Sequence, residues 1–276
     1  MSSLPASLGE ALARARGRVE QGDARILLRE ASGATAAQLI AFQERPLAPA
    51  AALRYMEWLD RRAKGEPVAH ILGEREFYGR SFRVNAATLI PRPETELLVE
   101  LALHFLGERT RPGSLLDLGT GSGAIAISVA LESPATTVTA CDFSPSALDV
   151  AQANAMALGA PVRFVSGSWF GPLEGERFDC IVSNPPYIAE GDPHLSTGDL
   201  RYEPLTALAS GRDGLNDIRK IIAAAPRHLN PGAWLLLEHG YNQAGQVSDL
   251  LEDAGFNAIQ SWRDLAGIER VSGGYL

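Results

Sequence analysis

The stretch LLDLGTGSGAIAIS, Leu115 to Ser128, sets an acidic residue in a short apolar run, then three glycines at alternate positions, then a helix-forming run. Asp117 falls near the end of a strand. Gly119, Gly121 and Gly123 lack side chains, so the backbone can turn tightly there and a ligand can approach the main chain and the helix N-terminus. A turn of this kind also serves as a plain connection between strand and helix, so the surrounding sequence has to decide between the two.

Downstream, strand and helix patterns alternate: TVTACD, SPSALDVAQANAMALG, VRFVSG, FDCIVSN, GLNDIRKIIAAAPRHL, AWLLLEHG and QAGQVSDLLEDAG. That alternation predicts an α/β, Rossmann-like fold with a mostly parallel sheet and helices on both faces. The end, NAIQSWRDLAGIERVSGG, predicts an antiparallel hairpin at one sheet edge. Upstream, Leu8 and Leu12, Ile26 and Leu27, and Leu53, Met56 and Leu59 recur at helical spacings, which predicts a small N-terminal helical domain. Between the two, Phe77, Phe82 and Val84 alternate around Gly79 and predict a connecting β-hairpin, followed by a helix starting near Pro93 or Glu94. The expected division is a helical bundle over 1–70, a hairpin linker over 71–92 and an α/β domain over 93–276.

A chain of 276 residues can hold one large and one small domain. With 46% apolar and 21% charged residues it has the composition of a folded globular protein. The net charge of −8 supplies no general field for polyanions, so stable nucleic acid binding is not expected. Arg14, Arg16, Arg18, Arg25 and Arg29 are interleaved with acidic residues and read as a solvated helix surface. Cys141 and Cys180 each lie in an apolar strand pattern and are expected to be buried and unbridged, which suits a reducing cytosol. No run of ~18 apolar residues and no signal-peptide core occurs, so a cytoplasmic protein that does not span a membrane is expected.

Asp142 closes the next strand about 20 residues past the glycine turn, where a carboxylate can accept hydrogen bonds from both hydroxyls of a ribose. Alternatively it caps the helix beginning at SPSALD. The order D-L-G-T-G-S-G departs from the dinucleotide fingerprint G-x-G-x-x-G, which leaves NAD as the second choice of cofactor. Trp169, following VSGS, either stands near an adenine or packs in the core.

IVSNPPYIAE, Ile181 to Glu190, ends a strand in an asparagine, two prolines and a tyrosine. A residue before proline is pushed into extended conformations, so Asn184 and Pro185 form a stiff segment. Prolines have no N–H, so this segment presents acceptors, the Asn184 side-chain oxygen and the Pro185 carbonyl, with few competing donors. Such a pocket suits a planar –NH2 group, with Pro186 and Tyr187 beside it. In an open α/β sheet the segment reaches the ligand edge next to the glycine turn, so the nitrogen can be aimed at the cofactor. Glu238 and His239 end another strand, but zinc spacing is absent and no metal is expected.

The glycine turn resembles the loop of class I S-adenosylmethionine-dependent methyltransferases. The set LIPRPETELLVE, DLGTGSGAIAIS, VSNPPYI, EPLTAL, GRDGL and LLLEHG resembles more specifically the peptide chain release factor N5-glutamine methyltransferases, the HemK/PrmC family, over nearly the whole chain. The resemblance implies S-adenosyl-L-methionine as cofactor. It also implies methylation of the glutamine side-chain amide in the Gly-Gly-Gln motif of class I release factors, gripped by the helical domain. By the same resemblance Gly119, Thr120, Gly121, Ser122, Gly123, Asp142 and Trp169 contact the cofactor, with Asp117 facing its amino group directly or through water. Asn184, Pro185, Pro186 and Tyr187 hold the glutamine, with Asn184 and Pro185 catalytic and Asn184 also next to the cofactor. Arg92, Glu94 and Thr95 fall beside the site, for structure or for contact. His70 and Ser210 depart from the family's common tyrosine and glycine. The competing class is a nucleic acid N-methyltransferase acting on an adenine or guanine amino group; a non-catalytic binding module is a third reading.

Overall fold

In the computed structural model, which describes residues 3–276, the chain divides into a unit ending at Glu74 and a larger one beginning at Arg75. The first holds helices α1 (Leu8–Ala15), α2 (Gln21–Ser32), α3 (Ala36–Ala41), α4 (Pro49–Ala63) and α5 (Val68–Leu72). Their ends follow from local chemistry. Ser7 accepts from the Glu10 amide, and Thr35 and Gln38 satisfy each other's backbone in a capping box. Gly33 closes α2 in the left-handed conformation. The buried stripe of α4 runs through Ala51, Ala52, Tyr55 and Leu59, which leaves Leu53 61% exposed. In α2, Leu27 and Leu28 face inward and Ile26 outward. The predicted periodicity is present, but its phase lies one step from two of the residues that reveal it.

The hairpin β1 (Glu74–Phe77) and β2 (Arg80–Arg83) follows. Expected as a connector, it instead contributes Phe77 and Phe82, both fully buried, to the larger unit's core. A 3-10 turn at Pro93–Thr95 leads into α6 (Glu96–Gly107). The α/β series then runs β3 (Ser114–Leu118), α7 (Ala124–Glu132), β4 (Thr137–Asp142), α8 (Pro145–Leu158), β5 (Val162–Ser166), β6 (Phe178–Ser183), α9 (Asn216–Ala224), β7 (Leu229–Glu238), α10 (Ala244–Asp253), β8 (Asn257–Arg263) and β9 (Glu269–Tyr275).

The seven strands lie in the order β5-β4-β3-β6-β7-β9-β8. The first five are parallel, and the terminal hairpin adds antiparallel β9 against β7, with β8 at the edge. Side chains alternate across this sheet because successive residues of a strand point to opposite faces. Leu115 joins the core of α6 and α7, whereas Leu116 and Leu118 join that of α9 and α10. Cys180 and Val182 part from Ile181 in the same way, as Leu236 does from Leu235 and Leu237. With both faces covered, the parallel strands read as continuous apolar runs. From β3 the chain steps outward through β4 and β5, then crosses back to β6 and β7. The strand order therefore reverses between β3 and β6, and the loops leaving these two strands open a crevice at the carboxyl edge. Cys141 and Cys180 are free and buried. Among the described residues no helix is long and apolar enough to cross a membrane.

The opposite end of the same strand pair is pinned by a buried carboxylate. Asp179 forms ion pairs with Arg109 and Arg111 at 2.8 Å and accepts from Asn230 at 2.9 Å and the Ser114 amide at 3.0 Å. Burial alone would raise its pKa, but the Asn230 and Ser114 hydrogen bonds and the Arg109 charge outweigh it and hold the carboxyl below the usual range. Asp179→Ala is expected to cost about 2 kcal/mol at pH 7, because Asn230 and the Ser114 amide lose their acceptor. A folded-state pKa lowered below the unfolded value of ~3.9 means this contribution is complete above that pH and fades as acid protonates the folded state. Urea unfolding should show the gap between wild type and variant narrowing below about pH 4; a gap that holds constant there contradicts the assignment.

Candidate active site

The glycine turn leaves β3 and is tied at once to β4, because the Gly119 and Thr120 amides donate to the Cys141 carbonyl at 2.8 and 3.1 Å. Gly123 has φ +83, and a Cβ there would lie 2.8 Å from Ile127 Cδ1 and 3.2 Å from Ala151 Cβ, so only glycine permits the loop to close onto α7 and α8. At Gly121 (φ +55) a Cβ would meet nothing within 4 Å, which marks the loop's open side. Asp142 fixes that side: Oδ2 accepts from the Gly121 amide at 2.9 Å and Oδ1 from the Ser144 amide at 2.9 Å. Burial raises its pKa against those backbone hydrogen bonds. The cap of α8 is Ser144, whose hydroxyl accepts from the Ala147 amide, so Asp142 is free of that duty.

Asp117 lies under the loop, fully buried, with Oδ2 accepting from the Thr120 hydroxyl at 2.6 Å and the Ala126 amide at 3.3 Å. Its Oδ1 has no hydrogen bond, and desolvation lifts its pKa to about 7. Trp169 sits beyond β5 at φ 49, unusual for a residue with a side chain, with its ring against Gly119. The indole both lines the crevice and packs on the core of α9 and α10.

From the other side of the switch point, Ser183 donates its hydroxyl to the Leu118 carbonyl at 2.7 Å, locking the end of β6 to that of β3. Asn184 follows, with its Nδ2 donating to the Thr95 hydroxyl at 3.1 Å. Tyr187 runs away from the crevice: its hydroxyl donates to Glu238 Oε1 at 3.2 Å and its ring packs on the core of α9 and α10. Glu238 is 1% exposed, and burial lifts its pKa to about 7 despite the Thr95 and Tyr187 hydroxyls and the Arg270 charge. His239 turns its ring nitrogens to Ser272 and to the Gly240 carbonyl.

These parts enclose a cavity of about 380 Å³. Gly119, Thr120, Gly121, Ser122, Asp142, Trp169, Asn184 and Pro186 line it, whereas Asp117, Gly123, Pro185 and Tyr187 stand behind the wall. Tyr187, expected to flank the substrate group, is not among the lining residues, and the buried Glu238 holds its hydroxyl. Arg92 and Thr95 are on the wall, Glu94 is not. Arg92 is held by the buried Glu203, which also accepts from the Ile90 amide at 2.9 Å, so IPRPETE and EPLTAL meet across 111 positions. Sequence reasoning passed over Phe143, which lines the cavity and stays 55% exposed; a large apolar residue directly after the strand-end acid was the available signal. Thr88, and Pro204 and Thr206 of EPLTAL, also line the cavity. At the departure Ser210, the hydroxyl donates to Asp217 and accepts from its amide, securing the start of α9. Among the described residues no group of three His, Cys, Asp or Glu side chains is placed to hold a metal ion.

Comparison with known proteins gives the arrangement its family. The description "Methyltransferase small domain" matches residues 94–199, and "PrmC N-terminal domain" matches residues 7–73. The release factor glutamine methyltransferase of Burkholderia pseudomallei is 52% identical over 261 residues, covering 92% of this chain and 91% of that one. The chain belongs to the release factor glutamine methyltransferase family. The protein of the same name from Bordetella pertussis is 50% identical over 255 residues, 92% of this chain and 94% of its own. A methyltransferase from Pyrococcus furiosus, 20% identical, superimposes with a TM-score of 0.54 over 78% of this chain and 95% of that one, a likeness of fold. The family resemblance carried by IPRPETE and the Asn-Pro-Pro-Tyr element is borne out for this methyltransferase, as is its α/β class.

Proposed function

We propose that the chain transfers the methyl group of S-adenosyl-L-methionine to the side-chain amide nitrogen N5 of the glutamine in the Gly-Gly-Gln motif of class I release factors, in the cytoplasm. The observation that carries this reading is the orientation of Asn184: its NH2 is committed to Thr95, so its Oδ1 is left as an acceptor on the cavity wall beside the glycine loop. A carboxamide NH2 can donate one hydrogen to that oxygen; the Pro185 carbonyl, expected as its second acceptor, belongs to a residue that does not line the cavity.

The residues present fit the cofactor. The cavity volume of about 380 Å³ falls in the usual range for small-molecule sites, roughly 300–1,000 Å³. The loop Gly119–Gly123 has an open side for the methionine moiety, and Asp142 keeps lone pairs for ribose hydroxyls after serving two backbone amides. Trp169 and Phe143 offer aromatic surface to the adenine. Asp117 stands behind the wall with Oδ1 unpartnered, so of the two arrangements expected for it we favour an amino group reached through water. When bound, S-adenosyl-L-methionine supplies a methyl group on an already activated sulfonium. The chain's own task is therefore alignment and exclusion of water rather than acid–base work. An amide lone pair is delocalised, and the acceptors around Asn184 orient the nitrogen and favour the altered geometry as it attacks. We assign no general base and no metal.

Trp169→Ala is expected to weaken S-adenosylhomocysteine binding roughly tenfold, by loss of stacking surface; calorimetry finding unchanged affinity would assign the indole to packing alone. The function itself is tested by incubating the protein with labelled S-adenosyl-L-methionine, an unmethylated release factor, duplex DNA and ribosomal RNA, and locating the label by mass spectrometry. Label on the release factor glutamine is expected; label on nucleic acid alone overturns the proposal. The net charge of −8 supports the expectation that no stable nucleic acid complex forms.

A further inference from the structure

Asparagine is almost symmetric in shape: half a turn about its last bond exchanges a donor edge for an acceptor edge. A substrate carboxamide needs the acceptor edge, and the flipped rotamer would set NH2 against NH2. We propose that Thr95, anchored by Glu238, is a positioning residue that fixes the flip state of Asn184, so that Oδ1 rather than Nδ2 meets the substrate. This rests on the reading above that Asn184 receives the glutamine amide.

Thr95 is buried, and its hydroxyl lies 3.1 Å from Asn184 Nδ2. A hydroxyl alone would accept either edge of an asparagine, since it can donate or accept. Glu238 removes that freedom. As a carboxylate it only accepts: Oε1 takes the Tyr187 hydroxyl at 3.2 Å, and Oε2, free of any hydrogen bond, has capacity left for the Thr95 proton. The Thr95 hydroxyl is one of the groups that stabilise the charged form of Glu238. With its proton drawn that way, Thr95 turns a lone pair to Asn184, and only the NH2 edge satisfies it.

The chain of bonds has a direction that depends on Glu238 carrying charge. The groups facing that carboxyl are Thr95 and Glu94 from the 3-10 turn, Tyr187 from the exit of β6 and Arg270 from β9; its neighbour His239 is turned to Ser272 and Gly240. Arg270 favours the charged form and Glu94 opposes it, while burial brings the carboxyl to about 7. Protonated, Glu238 becomes a donor to Thr95 and the direction reverses, so turnover should rise with pH through about 7.

The test compares Thr95→Val, which keeps the shape and deletes the hydroxyl, with Thr95→Ser, which keeps it. In the full-length protein, kcat on a release factor should fall roughly 30-fold in Thr95→Val and recover to within about threefold of wild type in Thr95→Ser, as the loss of one orienting hydrogen bond implies. KM and S-adenosylhomocysteine affinity should stay within about twofold, since the hydroxyl acts through Asn184, and the pH inflection should vanish in Thr95→Val. In an Asn184→Ala background Thr95→Val should add nothing. A Thr95→Val enzyme within threefold of wild type, an equal loss in Thr95→Ser, or additive effects with Asn184→Ala overturns the relay. The side-chain NH2 resonances of Asn184, assigned by their loss in Asn184→Ala, give a readout that needs no substrate. They should move in Thr95→Val and stay in place in Thr95→Ser, and resonances unmoved by Thr95→Val refute the relay. If wild type places no label on glutamine, the substrate reading fails while these resonances still judge the relay.

Discussion

Asn184→Ala will lower kcat on an unmethylated release factor by roughly a thousandfold, while S-adenosylhomocysteine affinity changes less than about fivefold. The asymmetry follows from where the side chain sits. The glycine loop, Asp142 and Trp169 lie at the ends of β3, β4 and β5, whereas Asn184 ends β6 and faces the same cavity from across the switch point. Removing it leaves the cofactor's walls intact and deletes the acceptor that holds the attacking nitrogen. A delocalised amide nitrogen depends on that hold, since the proposed mechanism assigns no general base to raise its reactivity. Truncation also leaves the buried Thr95 hydroxyl without its partner at 3.1 Å, a cost to stability of about 1 kcal/mol. Single-turnover kinetics and calorimetry on the same preparation separate the two quantities. Equal losses in rate and in cofactor affinity would remove Asn184 from its proposed role.

The sequence made the architecture readable because its signals are local. Alternate glycines after an apolar run, an acid at the next strand end and a Pro-Pro step after Asn184 each act within a few residues, and the strand order turned them toward one another. Partnerships between distant residues left no such trace. Nothing near Tyr187 announces that Glu238, 51 positions on, will take its hydroxyl, or that Arg92 will be braced by Glu203, 111 positions away. Asp117 was legible as a strand-end acid, but whether it stands in the wall or beneath it depends on the Thr120 hydroxyl and the Ala126 amide that draw it under the loop. Ile26 and Leu53 show the same limit in the helical unit, where Leu27 and Leu28 in one helix and Ala51 and Ala52 in the other take the buried phase. The motif GRDGL, visible only through family resemblance, owes its second glycine to a contact of this long-range kind.

Gly214→Ala should be the most damaging single methyl group in the larger unit. Gly214 has φ +78, and a Cβ there would fall 2.1 Å from the Tyr187 carbonyl oxygen and 2.8 Å from Gln243 Nε2. Neither collision is cheap to relieve. The first is with backbone directly after the two prolines, and the second is with the amide that donates to the same carbonyl at 3.0 Å and to the Asp213 carbonyl at 3.2 Å. The left-handed backbone costs about 1 kcal/mol, overpacking about 1–3, and a Tyr187 carbonyl deprived of Gln243 about 1–3 more. The sum, roughly 3–7 kcal/mol, approaches the whole stability of many domains, and at 2–4 °C per kcal/mol it corresponds to a melting temperature lower by about 6–28 °C. Gly255→Ala supplies the control, because Gly255 has φ +84 but open space around its missing Cβ, so it should lose only about 1 kcal/mol. The difference between the two variants measures the contact with the Asn-Pro-Pro-Tyr exit rather than backbone preference. If both melt within two or three degrees of each other, the carbonyl of Tyr187 yields easily. The rigidity assigned to that segment would then have to come from the prolines alone.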